Sequence, residues 1–235
     1  MSDSDAILRV RDLTRTYRLG RVDVPALKGI TLQVEKGEFV AITGPSGCGK
    51  STFMHLIGCL DRPTSGDIYI GNVKVSTLDD DALASIRNKM IGFVFQSFNL
   101  LPRLTAEKNV ELPLYYYGVK RELREQKALE MLDTVGLKNR ATHRPTEISG
   151  GERQRIAIAR ALVNNPSIML ADEPTGNLDT KTSEDIMKVF QQLNDRGVTI
   201  IVVTHEPDIV RYTKRVVRLR DGVVIGDERI EQVRL

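Results

Sequence analysis

The sequence has no tryptophan, only 5% aromatic residues, three histidines and two cysteines. The two cysteines, Cys48 and Cys59, fall in or just after one glycine-rich loop, so their placement does not suggest a disulfide framework. So few cysteines fit a reducing compartment better than a secreted, disulfide-stabilised domain.

Long apolar runs are also missing. The longest, such as VTIIVVT, are strand-sized and fall well short of the roughly 18 residues that a membrane-spanning helix needs. The N-terminal stretch MSDSDAILRV is acidic and lacks the apolar core of a signal peptide. The net charge of +3 is too small to say much about partners. We therefore expect a cytoplasmic protein with no membrane span of its own.

What is present is an alternation of strand and helix patterns in one domain of 235 residues. The runs FVAIT, MIGFVFQ, SIMLAD and VTIIVVTH predict strands buried on both faces of a parallel sheet. Residues 6–43 read mainly as β-structure, and Gly71-Asn72 and Asp221-Gly222 predict hairpin turns. We therefore predict an α/β fold, because strands alternating with helices form parallel sheets.

The middle of the chain differs from its two ends. Residues 97–165 show mainly helical patterns, including ELREQKALEMLDTVG with a glycine stop at Gly136. We predict a single domain in which residues 1–96 and 166–235 form an α/β core with a β subdomain. Residues 97–165 would then form a mainly helical subdomain inserted into that core.

The stretch GPSGCGKST fits the phosphate-loop pattern G-x-x-x-x-G-K-[ST], and it follows an apolar strand and precedes a helix, as that loop requires. Its glycines let backbone N–H groups curl around phosphate oxygens. Lys50 is expected to reach the β- and γ-phosphates, and Ser51 to give its hydroxyl to Mg²⁺. An ordinary glycine-rich turn is the alternative, but it would not need Lys-Ser-Thr in register. The predicted nucleotide-binding residues here are Gly44, Pro45, Ser46, Gly47, Cys48, Gly49, Lys50, Ser51 and Thr52.

Four polar side chains follow other apolar strands. Asp172 and Glu173 end IMLADE, Gln96 ends MIGFVFQ, and His205 ends VTIIVVTH. Ligands of open α/β sheets bind beyond the carboxyl ends of the strands, so we expect these four residues around one site. Asp172 and Gln96 would hold Mg²⁺, and Gln96 would also act in catalysis by offering its side-chain nitrogen to the attacking water. Glu173 would accept a proton from that water, and His205 would donate to the γ-phosphate. The alternative for the acidic pair is a helix N-cap before a proline.

A second glycine pair occurs in ISGGERQR. Ser149 and Glu152 have the spacing of a capping box, so a simple helix start is one interpretation. However, Gly150 and Gly151 would weaken the first helical turn by up to about 1 kcal/mol each, which favours a close approach to the backbone there. A helix N-terminus with a serine hydroxyl can bind phosphate. We therefore predict a second phosphate site at Ser149, Gly150, Gly151 and Glu152, which caps the γ-phosphate bound by another subunit.

Taken together, the phosphate loop, Gln96, ISGGE, LADEP, GNLD and TH occur in the order seen in the ATP-binding cassette (ABC) ATPases, which the chain resembles over nearly its whole length. The resemblance implies a P-loop NTPase fold with a RecA-like parallel-sheet core, an antiparallel β subdomain and a helical insert that bears the signature loop. It also implies a head-to-tail homodimer around two MgATP, with Tyr17 stacking on adenine and Asp179 in the dimer-contacting loop. The usual signature is L-S-G-G-Q; here Ile148 is a volume-conserving change, whereas Glu152 adds charge near ATP.

The segments GCLDRPTSGDIYI, IGFVFQSFNLLPRLTAEKNVELPL and ADEPTGNLD resemble the branch with macrolide exporters, lipoprotein-release ATPases and cell-division ABC ATPases. This implies an ATPase that drives a separate integral membrane permease, in export, lipoprotein extraction or mechanotransmission. It implies a position on the inner face of the cell membrane through that permease, which could in turn contact a periplasmic adaptor. We expect the permease to dock on the surface from about Ser97 to Tyr117. The three tyrosines Tyr115–Tyr117 fit an interface or a core equally.

Three other functions are compatible with parts of the sequence. A soluble ABC-type ATPase acting on nucleic acid or chromosomes shares the signature loop, but would carry long coiled coils or a zinc module. A GTPase would need N-K-x-D, and NKMI at residues 88–91 lacks the aspartate. An ATP-gated binding module without enzymatic activity would not need Glu173. The alternating arginines of RVVRLRDGVVIGDE favour a half-solvated edge hairpin, so no nucleic-acid partner is expected.

Overall fold

The computed structural model describes residues 6–235, so what the sequence indicates for residues 1–5 lies outside it. The strands of this part of the chain are β1 (Ala6–Leu19), β2 (Val22–Glu35), β3 (Phe39–Thr43), β4 (Ser65–Ile70), β5 (Val73–Lys74), β6 (Ile91–Phe95), β7 (Ile168–Asp172), β8 (Thr199–Val203), β9 (Arg215–Arg220) and β10 (Val223–Arg229). The α-helices are α1 (Lys50–Ile57), α2 (Asp80–Met90), α3 (Ala106–Tyr116), α4 (Arg121–Thr134), α5 (Gly150–Leu162), α6 (Thr180–Asp195) and α7 (Pro207–Val210).

The strands form two sheets. One is antiparallel, with strand order β2-β1-β4-β5, and the other has the order β10-β9-β3-β8-β7-β6. Strands β9, β3, β8, β7 and β6 of the second sheet run parallel, and β10 pairs antiparallel with β9 at one edge. Helices α3, α4 and α5 lie between β6 and β7 along the chain. The predicted fold class is therefore confirmed: a parallel-sheet core, an antiparallel β subdomain and a helical insert.

The parallel sheet is buried on both faces. Along β3, Val40 and Ile42 pack into one apolar cluster with α1, whereas Phe39 packs into a second cluster with α6. Strand β8 alternates in the same way, with Ile201 in the first cluster and Ile200 in the second. Because both faces are covered, the strands are apolar throughout instead of alternating with polar residues.

The sheet brings several loops to one edge. Strands β3, β8, β7 and β6 are parallel neighbours, so their carboxyl ends meet there. In the register, Ile42 pairs with Val203, Val203 with Asp172, and Asp172 with Phe95. The phosphate loop, His205, Glu173 and Gln96 follow directly after these positions, so the fold gathers the predicted site residues at one edge.

The longest α-helix within residues 6–235 is α6, with 16 residues. None of the helices described there is both long and apolar enough to cross a lipid bilayer.

Candidate functional site

The loop between β3 and α1 has a backbone that only glycine tolerates at several positions. Gly44, Gly47 and Gly49 have φ angles of 153°, 77° and 104°. A Cβ atom on Gly44 would lie 2.1 Å from the carbonyl oxygen of Leu219, and one on Gly49 would lie 2.7 Å from that of Ala26. The loop is therefore a cradle with its backbone packed against its neighbours, as expected for phosphate binding.

Lys50 is the first residue of α1, and it is buried. Its Nζ atom donates to the carbonyl oxygens of Gly44 and Pro45, at 2.8 and 2.9 Å. The ammonium group thus lies inside the phosphate loop. Oxygen atoms of a bound phosphate would accept the same hydrogen bonds that the two carbonyl oxygens accept here. Ser51, the next residue, is exposed.

A cavity of about 790 Å³ opens above this loop. Its lining comprises Ala26, residues 43–47, residues 49–52, Glu173 and His205. Cys48 is the loop residue missing from the lining, because its side chain is buried in the apolar cluster beneath. The volume lies in the range of small-molecule and cofactor sites. The cavity thus joins the phosphate loop to the predicted base and the predicted histidine.

Glu173 and His205 are in direct contact. Nδ1 of His205 lies 2.7 Å from Oε1 of Glu173. Glu173 has a φ of 43°, a left-handed backbone that turns the chain as soon as β7 ends, while its N–H still donates to Val203 of β8. This backbone costs about 1–3 kcal/mol in a residue other than glycine. The contact between Glu173, after β7, and His205, after β8, therefore depends on a strained turn at Glu173.

Asp172 and Gln96 occupy neighbouring strand ends, but they do not line the cavity. Burial and the charge of Glu173 raise the pKa of Asp172, while His55 and Lys50 act in the opposite direction. The side chain of Gln96 packs on Gly176, where a Cβ atom would lie 2.6 Å from Nε2. Its backbone carbonyl accepts a hydrogen bond from Nδ2 of Asn177 at 2.9 Å. Asp172 and Gln96 thus lie outside the lining of the cavity.

The second glycine pair opens α5. Ser149 is exposed and caps this helix: its Oγ accepts from the N–H of Glu152 at 3.2 Å, and Oε2 of Glu152 accepts from the N–H of Ser149 at 2.8 Å. The capping-box interpretation is therefore correct as local structure. The other carboxylate oxygen of Glu152 accepts from Nε of Arg140 at 3.0 Å. Hydrogen bonds with Ser149, and then the ion pair with Arg140, hold the pKa of Glu152 below its ordinary value, although burial acts in the opposite direction.

Packing within the chain already explains the two glycines. A Cβ atom on Gly151 would lie 2.5 Å from Cγ2 of Thr182, and one on Gly150 would lie 3.2 Å from Cδ2 of Leu178. The close approach that the sequence suggests therefore occurs between α5 and the start of α6. The two glycines alone are therefore not evidence for a phosphate at Ser149.

Asp179 caps the start of α6, beside the contact between Gly151 and Thr182. Its two carboxylate oxygens accept from the N–H and the hydroxyl of Thr182, at 3.0 and 2.6 Å. Thr182 in turn packs its methyl group on Gly151. Asp179 is exposed even though it caps α6, so its side chain remains accessible to a partner.

Tyr17 lies on β1, opposite Val24 of β2. Ala26 of β2, which lines the phosphate cavity, lies at an irregularity in the pairing of β1 with β2. The guanidinium of Arg15 lies 4.5 Å from the centre of the Tyr17 ring, and the tyrosine hydroxyl donates to Oδ2 of Asp61 at 3.0 Å.

With this geometry in view, comparisons with known proteins identify the family. The sequence profile described as "ABC transporter" matches residues 27–176, which is more than half of the chain. The chain belongs to the ABC transporter family.

Two ABC relatives at similar identity differ in length. The "Uncharacterized ABC transporter ATP-binding protein YvrO" of Bacillus subtilis is 54% identical, with 95% of this chain and 97% of the relative covered. The "Macrolide export ATP-binding/permease protein MacB" of Syntrophobacter fumaroxidans is 51% identical, with 93% of this chain but only 31% of that protein covered. This ABC chain therefore matches nearly all of one relative and about a third of the other.

A solved structure agrees with the fold of this ABC chain. The ATP-binding cassette MJ0796, in a dimeric post-hydrolysis state bound to ADP and Pi, matches with a TM-score of 0.87 and 48% sequence identity. The match covers 96% of this chain and all of that one. The protein is thus an ATP-binding, ATP-hydrolysing subunit of an ABC transporter, and the nucleic-acid alternative has no support.

The phosphate-binding residues predicted for this ABC subunit lie in two separate places, the phosphate cavity and the start of α5. The phosphate cavity is lined by the loop, Glu173 and His205, whereas Ser149 and Glu152 lie at the start of α5 and do not contribute to the lining. The sequence analysis missed Arg140, Asp61 and Thr182, which contact predicted site residues. Arg140 and Asp61 contact predicted site residues on separate elements, which no spacing pattern indicates, whereas Thr182 stands at the capping position three residues after Asp179.

Proposed function

We propose that two copies of this chain form a head-to-tail dimer around two MgATP and use hydrolysis to drive a membrane permease. The observation that carries this proposal is the division of the site. One chain presents a phosphate cavity on one side and an exposed, capped helix N-terminus at Ser149 on another. A helix N-terminus attracts anions, so each would complete the other's site in a dimer. The MJ0796 relative is described as dimeric, in agreement with this arrangement.

Within each site we assign roles by position. Lys50 would exchange its loop carbonyls for phosphate oxygens, and Glu173 would accept the proton of the attacking water. His205, 2.7 Å from Glu173, would orient that carboxylate and donate to the γ-phosphate. Ser149 of the second copy would close the site over the γ-phosphate, and Asp179 would lie beside this contact.

The residues proposed for Mg²⁺ are Ser51, Gln96 and Asp172, a set of oxygen donors with one carboxylate. Mg²⁺ is typically held by one or two carboxylates together with substrate phosphates. Within residues 6–235, no group of three or more histidine, cysteine, aspartate or glutamate side chains could hold a metal alone. When bound, the ion would neutralise charge on the phosphates.

Tyr17 is proposed to stack on the adenine base. Tyr17 lies opposite Val24 of β2, and Ala26 of the same strand lines the phosphate cavity. A base joined to phosphates in that cavity would extend toward Tyr17. Aromatic stacking on a base contributes about 1–3 kcal/mol, as measured by alanine substitution in nucleic-acid-binding proteins.

The permease is proposed to dock in a groove of about 840 Å³ beside Gln96. Apolar side chains dominate its lining, including Leu60, Phe93, Phe95, Leu112, Tyr116 and Tyr117. The Tyr115, Tyr116 and Tyr117 residues are 61%, 72% and 51% exposed, so the core interpretation of these tyrosines is wrong. MacB, in which a match to this chain covers only 31% of an ATP-binding/permease protein, supports a permease segment as the occupant.

This docking would hold the protein on the cytoplasmic face of the membrane. A periplasmic adaptor would then be reached through the permease. Both statements depend on the permease interaction.

The dimer is tested with Glu173→Gln. This change should slow hydrolysis by roughly 10²–10⁴-fold, the contribution of a positioned general base. Because the phosphate loop is intact, ATP should still bind, and the ATP-bound dimer should persist as a doubled mass in light scattering. Adding Ser149→Arg should abolish the doubled mass and leave nucleotide affinity nearly unchanged.

A matched control is Thr105→Arg, since Thr105 caps α3 as Ser149 caps α5. Loss of a cap alone costs about 1 kcal/mol of stability and should not change the ATP-dependent mass. If the Glu173→Gln, Ser149→Arg protein still doubles its mass with ATP, Ser149 is only a helix cap and the head-to-tail arrangement is wrong.

A further inference from the structure

Asp61 is the centre of a hydrogen-bonded cluster below Tyr17. Oδ2 accepts from the Tyr17 hydroxyl at 3.0 Å, and Oδ1 accepts from Nη2 of Arg15 at 2.8 Å. Oδ1 also accepts from the backbone N–H of Arg62 at 2.7 Å. Asp61 and Arg15 are about three-quarters buried, with exposed side-chain fractions of 26% and 23%. The carboxylate thus has both oxygens committed to holding β1.

The backbone of Asp61 is tied to α1. Its N–H donates to the carbonyl oxygen of His55 in the last turn of that helix, at 3.3 Å. The first residue of the same helix is Lys50, whose ammonium lies in the phosphate loop. Helix α1 therefore begins with the lysine of the phosphate loop. Just beyond its other end lies Asp61, whose carboxylate binds the Tyr17 hydroxyl.

We propose that Asp61 is a positioning residue for the nucleotide base. It holds the Tyr17 ring at a fixed place relative to the phosphate loop, so that a base attached to bound phosphates meets the ring without reordering it. Arg15, bonded to the same carboxylate, packs on one face of the ring, so the base would stack on the opposite face. This inference rests on the proposed role of Tyr17 in stacking.

A purely structural role for the cluster makes a different prediction. The same region contains other links between β1 and the segment after α1, including the N–H of Thr16 to Oγ1 of Thr64 at 2.9 Å. If Asp61 were one more such link, removing it would reduce stability or disturb the phosphate loop. Binding of a ligand without a base would then weaken as much as binding of ATP. A positioning residue affects only the ligand that carries the base.

The experiment compares the dissociation constants of ATP and inorganic tripolyphosphate for the full chain, measured by calorimetry. Tyr17→Ala should weaken ATP binding by about five- to 150-fold, the range of base–aromatic stacking. Asp61→Ala should weaken it by at least about threefold, because part of the stacking energy is spent on ordering the ring. Tripolyphosphate binding should stay within about twofold of the unmodified protein, since neither change touches the loop.

Two further variants sharpen the result. Tyr17→Phe keeps the ring and removes only the hydroxyl that Asp61 holds, so it should reproduce the Asp61→Ala effect even if Asp61→Ala folds poorly. The Tyr17→Ala, Asp61→Ala double variant should bind ATP no more weakly than Tyr17→Ala, because residues that act through one contact are not additive. Asp67→Asn is the matched control: Asp67 pairs with Lys74 at 2.7 Å in the same sheet, and its loss should leave both ligands unaffected.

The outcomes separate the two proposals. If Tyr17→Ala leaves the ratio of ATP to tripolyphosphate affinity unchanged, the stacking role of Tyr17 is wrong. If Tyr17→Ala lowers that ratio but Tyr17→Phe and Asp61→Ala do not, stacking stands and the role of Asp61 is overturned. Equal weakening of both ligands by Asp61→Ala would also overturn it, because it would make Asp61 a structural link.

Discussion

At the scale of single residues, the thiol of Cys48 faces away from the nucleotide cavity. It is 3% exposed, and its Sγ lies 4.0 Å from Nζ of Lys50. We expect a maleimide to modify it at least about a hundredfold more slowly than in the urea-unfolded chain, because the loop must first open at a cost of about 2.8 kcal/mol. ATP should slow the reaction further by stabilising the closed loop. Mass spectrometry of the labelled peptides measures both rates.

Cys59 is the internal comparison for this prediction. It is equally buried, and burial raises its pKa to about 11, which the nearby Arg87 offsets only in part. Thiolate is the reactive form, so Cys59 should react slowly and should show no protection by ATP. Labelling of Cys48 at the rate of an unfolded thiol would contradict the buried position.

Single residues also show where sequence reasoning stops. The phosphate loop was predictable because all the residues that define it are adjacent in the sequence. By contrast, the sequence suggested that Gly151 leaves room for a ligand, whereas Thr182 occupies the space that a Cβ would need. Asp61 could not have been connected to Tyr17 either, since the two are 44 residues apart and meet only after β1 packs beside the end of α1.

At the scale of elements, a buried carboxylate joins α3 to α4. Glu111 of α3 accepts from Nζ of Lys108 at 2.6 Å and from Nε of Arg124 of α4 at 2.8 Å, and its side chain is 7% exposed. Burial alone would raise the pKa of Glu111, but Lys108 and Arg124 outweigh it and lower the pKa. Glu111→Gln should therefore reduce the free energy of unfolding at pH 7 by about 1.5–3 kcal/mol, the value of a hydrogen bond to a charged group.

The pH dependence follows from the sign of that shift. The folded pKa of Glu111 is below its ordinary value of 4.5, so its contribution is complete above that pH and is lost as the pH falls through the folded pKa. Urea unfolding should therefore show a smaller difference between Glu111→Gln and the unmodified protein in strong acid. Glu125→Gln is the control, because its carboxylate is 36% exposed and screened by solvent, so its loss should reduce stability less than the loss of Glu111. An equal effect of the two changes would contradict a special role of Glu111.

At the scale of the whole molecule, the docking groove should be separable from the ATP site. Tyr116→Glu and Tyr117→Glu alter side chains that line this groove and are 72% and 51% exposed. Basal hydrolysis should stay within about twofold, since exposed substitutions rarely shift a free energy by more than about 0.5 kcal/mol. Permease-coupled activity in reconstituted vesicles should be lost. Ile225→Glu is the control, because Ile225 is 59% exposed on β10 at the far edge of the parallel sheet.

Loss of basal and coupled activity together, in protein that still unfolds cooperatively, would place the groove residues in the catalytic machinery. Loss of coupling in Ile225→Glu would show that the effect is not specific to the groove.

The overall architecture was predictable to the extent that it depends on local pattern. Buried strands such as FVAIT and IMLAD have no polar face, which identifies a sheet covered on both sides. The order of the strands was not predictable in this way. Strand β3 pairs with β8 and β9, far along the chain, and hydrophobic periodicity contains no information about which distant strand will be its neighbour.

That pairing has a consequence for the newborn chain on the ribosome. The antiparallel sheet is built from strands that end by Lys74, so it can assemble as soon as they emerge. Strand β3 ends at Thr43 but gains its neighbour β8 only at Thr199–Val203, about 160 residues later. At roughly 5–20 residues per second, translation takes about 8–32 s to cover that distance. Throughout this interval the phosphate-loop strand has an exposed apolar edge, and a chain interrupted before β8 would leave it permanently unpaired.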